Sequence, residues 1–140
     1  MAGEIVLGYD GEEGSQAALR TAVTVAGAFH RPLVIVFGYA PAPIGGEVAD
    51  LARAVEDIGK QITSAAVNAV KELDASVTTE VALVNDRPAE AILRAADQYD
   101  AFAIIVGAAG GGPLRGALLG STTYQIVHRS TRPVVVVPTP

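Results

Sequence analysis

The chain has 140 residues, half of them hydrophobic and only 5% aromatic, with no cysteine and a formal charge of −5. That length suits one domain, residues 1–140, burying about two-thirds of its unfolded surface around a core of Val, Ile, Leu and Ala. The charge excludes a general nucleic-acid binder, which needs a basic face, and the absence of Cys excludes disulfides and thiolate metal sites.

In chain order, the first apolar run is Glu4–Tyr9 (EIVLGY), read as a strand. Gly14–Phe29 follows as a helix, with Ala18, Ala22, Val25 and Phe29 at helical spacing. Pro32–Gly38 (PLVIVFG) is a second strand, and Ala40–Gly46 (APAPIGG) reads as a loop. A longer helix covers Glu47–Leu73, with Leu51, Val55, Ile58, Ile62, Ala65, Ala69 and Leu73 expected on its inner face. Val77–Val84 alternates and looks like an edge strand. Pro88 suits the first position of a helix that carries Ala91, Ile92, Ala95, Ala96 and Tyr99. Ala103–Gly107 is the fourth strand. The last helix starts near Ser121 and carries Ile126 and Val127, and Pro133–Val137 closes as a strand.

Most of these strands are nearly continuous in hydrophobicity, as strands covered on both faces are. Alternation of strands with helices predicts an open five-stranded parallel α/β sheet with right-handed crossovers and helices on both faces. Ligands settle outside the carboxyl ends of such strands, where the strand order reverses. The loops Asp10–Ser15, Tyr39–Gly46 and the glycine-rich stretch after the fourth strand meet there. No cationic leader with a cleavage site is visible and no apolar run approaches ~18 residues, so the expectation is a cytoplasmic protein with no membrane partner.

The stretch Gly107–Ser121 (GAAGGGPLRGALLGS) carries the strongest chemical signal. Glycines let backbone N–H groups approach an anion, and a helix start presents unpaired donors with a favourable dipole. The same glycines could serve a tight strand-to-helix turn with no ligand. It is no Walker A loop, which needs Lys before Ser/Thr, and LGYDGEEGS after the first strand is no GxGxxG. Asp10 cannot favourably face a phosphate. It can accept hydrogen bonds from ribose hydroxyls or an amino group, or act as a turn or N-cap residue. Arg115, the one cation in the glycine stretch, either offsets phosphate charge or is a solvated loop residue. His30 and His128 sit at helix ends and suit capping or surface roles. Tyr124 suits packing or a dimer surface.

The spacing G-x2-G-x9-G-[S/T], from Gly107 and Gly110 to Gly120 and Ser121, precedes a short helix and a final PVVVVP strand. Together with Asp10-Gly11, Ser15 to Ala18 (SxxA) and Arg87–Leu93 (RPAEAIL), it resembles the universal stress protein family along nearly the whole chain. The resemblance implies a Rossmann-like fold of the adenine nucleotide alpha hydrolase type, strand order 3-2-1-4-5, binding ATP or a related adenine nucleotide with Mg²⁺. It implies that Gly107, Gly110, Gly120 and Ser121, with Thr122 beside them, line the phosphate and ribose loop. Asp10 would take the nucleoside end, and Gly38 and Tyr39 the backbone bordering adenine. A homodimer through Pro133–Val137 is implied as well, and the open edge of a terminal strand favours it. Glu12, Ala108-Ala109 and Asp86 depart from the family pattern. Glu12 matters most, because a carboxylate near a triphosphate weakens binding unless Mg²⁺ intervenes.

Three functions follow as expectations. One is a regulatory nucleotide binder. Another is a slow ATPase, for which Asp10 and Glu12 are the plausible water-orienting residues. The last is an interaction dimer of the same fold without a nucleotide.

Overall fold

The computed structural model describes residues 3–40, 48–108 and 119–140. Its elements are β1 (Ile5–Gly8), α1 (Glu13–Phe29), β2 (Leu33–Tyr39), α2 (Val48–Leu73), β3 (Thr79–Asn85), α3 (Pro88–Gln98), β4 (Ala103–Gly107), α4 (Ser121–Arg129) and β5 (Val134–Val137). All strands pair in parallel in the order β3-β2-β1-β4-β5. β1 is central: Ile5 lies between Leu33 and Ala103 in register, and all of β1 is buried. That is why its sequence is a continuous apolar run.

Alternate strand residues feed two cores. Ile5, Leu7, Leu33, Ile35 and Ile105 pack with Ala18 and Ala22 of α1 and Ala66 and Val70 of α2. Val6, Val34, Val36, Ile104 and Val106 pack with Ala91, Ile92 and Ala95 of α3 and Ile126 of α4. The helices therefore cover both faces, α1 and α2 on one and α3 and α4 on the other.

α2 departs from the expected inner face. Its buried residues are Gly59, Thr63, Ala66 and Val70, while Leu51, Ile58 and Leu73 remain 43%, 53% and 51% exposed. Small residues at Gly59 and Ala66 seat the helix close to the sheet, and the larger ones flank the contact. Ranking positions by hydrophobicity selects the flank. Phe29 is also exposed, with its ring 5.2 Å from Phe102, and Val127 lies outside while Ile126 is fully buried.

β5 is an edge strand. It pairs with β4 alone, and its Val135 is 36% exposed. The other edge, β3, is partly exposed on both faces, as its alternation suggested. Among the described residues no helix is long and apolar enough to cross a membrane.

Candidate functional site

The chain leaves β1 toward β2 on one side and β4 toward β5 on the other, so the carboxyl ends of β1 and β4 open a crevice between them. A cavity of about 360 Å³ lies there, within the range of small-ligand sites. Its apolar side is Val36, Pro88, Ile92 and Val106. Backbone at Gly8, Gly38 and Gly107 forms the strand ends, and Asp10, Ser15 and the start of α4 form the polar side.

Two glycines permit that geometry by letting helices approach the strand ends. A Cβ on Gly38 would lie 2.7 Å from the Ala91 Cβ and 2.8 Å from the Pro88 Cα, because the first turn of α3 rests on the end of β2. A Cβ on Gly107 would lie 2.7 Å from the Gly14 carbonyl oxygen of α1.

The turn from β1 into α1 is built around Asp10 and Ser15. The Glu12 amide donates to Asp10 Oδ1 at 2.9 Å, and the Ser15 hydroxyl donates to the same oxygen at 2.8 Å. Ser15 Oγ in turn accepts from the amides of Asp10 at 3.3 Å and Gly11 at 3.1 Å. Asp10 thus takes the turn role through Oδ1, and the residue also lines the cavity. Beside it, burial and then the Asp10 charge hold the Tyr9 phenol above its ordinary pKa.

At the opposite wall, the Gly120 amide donates to the Ala108 carbonyl at 3.0 Å, closing the neck of the connection from β4 to α4. Thr123 Oγ1 donates to the Gly107 carbonyl at 2.6 Å and ties the first turn of α4 to the end of β4. The Gly120 amide is therefore engaged within the chain, while the residue itself lines the cavity. Among the described residues no side chain caps α4, and the amides of Ser121, Thr122 and Thr123 lead the helix without intrahelical acceptors. They carry the positive end of its dipole toward the cavity they line.

Of the residues expected at the site, Asp10, Gly38, Gly107, Gly120, Ser121 and Thr122 line this one cavity. Tyr39 does not. It follows Gly38 on β2 and belongs to the other face, where its ring stacks 6.4 Å from Phe37. Gly110, Arg115 and Ala109 lie outside the described residues. Glu12 is exposed ahead of α1 and its side chain makes no cap bond. The Asp86 carboxylate is engaged by Arg94 and by the Arg87 amide at 2.8 Å, and it is absent from the cavity wall. Ala108 donates its amide to Val137 and extends the β4–β5 ladder.

The histidines stand apart from the cavity lining. His30 ends α1 at a positive φ of 53°, with its amide bonded to Gly27. His128 stacks on exposed Tyr124 with ring centres 4.1 Å apart.

Several lining residues carried little signal. Ser15 stood in a motif without an assigned role, and Thr123 reads as one more helical polar residue until its hydroxyl meets β4. Pro88 and Ile92 could have been found by their i, i+4 spacing, which places both on the sheet-facing side of α3.

Comparison with known proteins agrees with this architecture. The profile of the Universal stress protein family matches residues 1–138. A Thermus aquaticus protein, "Universal stress protein in QAH/OAS sulfhydrylase 3'region", is 33% identical over 138 residues, covering 95% of this chain and 96% of its own. A universal stress protein solved in complex with cAMP is 26% identical at a TM-score of 0.75, with 99% of this chain and 98% of that one covered. A universal stress protein from Archaeoglobus fulgidus is 25% identical at a TM-score of 0.77, over 98% of this chain and 99% of that one.

Proposed function

Because the chain belongs to the universal stress protein family, we propose that it is a cytoplasmic regulatory protein that binds an adenine nucleotide in the crevice between β1 and β4. The observation that carries this reading is the convergence of Asp10, Gly38, Gly107 and the start of α4 on one cavity. The base lies against Val36, Pro88, Ile92 and Val106, an apolar surface suited to a flat ring. Asp10 accepts hydrogen bonds from the ribose hydroxyls. The amides of Ser121, Thr122 and Thr123 hold phosphate oxygens, and the Ser121 hydroxyl adds a donor. A similar protein with cAMP bound supports the ligand class.

ATP is the finer expectation. Its triphosphate would lie at the start of α4, on a wall whose described lining contains no Lys or Arg. Among the described residues no three acidic or His side chains cluster as a metal site, so Mg²⁺ would be carried on the phosphates. Binding rather than turnover suits this wall, because among the described lining residues Asp10 is the one carboxylate and its Oδ1 is committed to the turn. The open edge of β5, with Val135 exposed, supports pairing of two copies through that strand.

Acid denaturation of freshly purified protein should release a compound with adenine absorbance, and equilibrium titration should show saturable binding of ATP, AMP or cAMP. No release, and no binding of any of them at millimolar concentration with or without Mg²⁺, overturns the reading.

A further inference from the structure

We infer that Ser15 is a positioning residue that makes the site select ribonucleotides over 2′-deoxyribonucleotides by holding the Asp10 carboxylate in one orientation. The inference rests on the reading that an adenine nucleotide occupies the cavity with its ribose at Asp10. Ser15 is 8% exposed, one of few buried polar residues described. Its hydroxyl has one proton and two lone pairs. Both lone pairs are taken by the amides of Asp10 and Gly11. The proton has two acceptors within reach, Asp10 Oδ1 at 2.8 Å and the Glu12 carbonyl at 3.0 Å, and the carboxylate is the nearer and the charged one.

With Oδ1 held by Ser15 and by the Glu12 amide, Oδ2 enters none of these bonds. It is left to accept from the ribose hydroxyls. Removing the Ser15 hydroxyl leaves Oδ1 with the Glu12 amide alone, and the carboxylate gains freedom about its last torsion. Ribose recognition then has to order it at the moment of binding. A nucleotide lacking the 2′-hydroxyl makes less use of Oδ2 and loses less.

The test compares AMP and 2′-deoxy-AMP affinities by calorimetry for wild type, Ser15→Ala and Ser15→Cys, which keeps the size but weakens the donor. Wild type should prefer AMP by about tenfold to a hundredfold, the worth of one hydrogen bond to a charged acceptor. Ser15→Ala should weaken AMP about threefold to tenfold, leave 2′-deoxy-AMP within about twofold, and bring the ratio toward one. Ser15→Cys should shift the ratio in the same direction and gives the answer even where the alanine variant fails to fold. Equal weakening of both nucleotides, or an unchanged ratio, overturns the role of Ser15. Wild type binding both nucleotides equally overturns the inference alone, whereas binding neither overturns the nucleotide reading itself.

Discussion

Gly107→Ala is the sharpest probe of how the site is built. The added methyl would stand 2.7 Å from the Gly14 carbonyl oxygen and 2.8 Å from its carbon, against an ordinary contact of about 3.4 Å or more. Both are backbone atoms in the first turn of α1, so the strain cannot be relieved by a rotamer. α1 and β4 must separate by roughly 0.6 Å, and overpacking of this kind costs about 1–3 kcal/mol. At about 2.1 cal/mol/K per residue, the 140 residues give an unfolding entropy near 0.29 kcal/mol/K. The expected fall in Tm is therefore about 3–10 °C in the absence of any ligand, read by calorimetry or by circular dichroism. Gly27→Ala is the comparison: its methyl would meet the Asp74 carboxylate oxygen at 2.9 Å, a side-chain atom whose partner oxygen accepts from the Ser76 amide and hydroxyl. Alanine is the better helix former there by about 1 kcal/mol, which offsets the shift of that carboxylate, so Tm should fall less than for Gly107→Ala. Equal Tm values for wild type and Gly107→Ala would refute the close approach of α1 to β4.

Thr123→Val removes the hydroxyl that the Gly107 carbonyl accepts from at 2.6 Å, at nearly constant volume. It should destabilise by about 1–3 kcal/mol in denaturant titration, and a variant as stable as wild type would show that this bond does not anchor α4. Burial, with a smaller contribution from Asp10, raises the Tyr9 phenol above its usual 10.0. Above that pH the unfolded chain loses a proton that the folded chain keeps, so stability falls as pH rises until the folded phenol also ionises. Tyr9→Phe should flatten this part of the Tm–pH curve, and an identical alkaline limb in the variant would contradict the assignment. Val135→Glu sets like charges against one another across a paired β5 edge. Sedimentation should find wild-type dimers and variant monomers; a monomeric wild type overturns the strand-paired assembly.

Much of the architecture was legible because parallel strands buried on both faces leave uninterrupted apolar runs. The segments around Ile5–Gly8 and Ala103–Gly107 needed no finer pattern. The strand order came through likeness to a family, since hydrophobicity does not say which edge a strand occupies. On α2, Gly59 and Ala66 are buried, yet hydrophobic ranking favours Leu51 and Ile58, which stay exposed. The Tyr39 side chain lies off the cavity wall for a different reason. Neighbours on a strand face opposite ways, so a residue beside Gly38 in sequence lies across the sheet from it in space. The Gly120 amide and the Ser15 hydroxyl were hidden because their partners, Ala108 and Asp10, are set by how loops close rather than by spacing.

Amide chemical shifts followed by ¹⁵N NMR during an AMP titration test nucleotide binding in the crevice between β1 and β4 residue by residue. Saturable shifts should appear at Asp10, Gly38, Gly107, Ser121, Thr122 and Thr123, which line the cavity. Phe29 and Phe102, packed together away from that lining, should stay still. Shifts confined to the Phe29–Phe102 region, or no saturable shift at millimolar AMP, would contradict binding in the crevice.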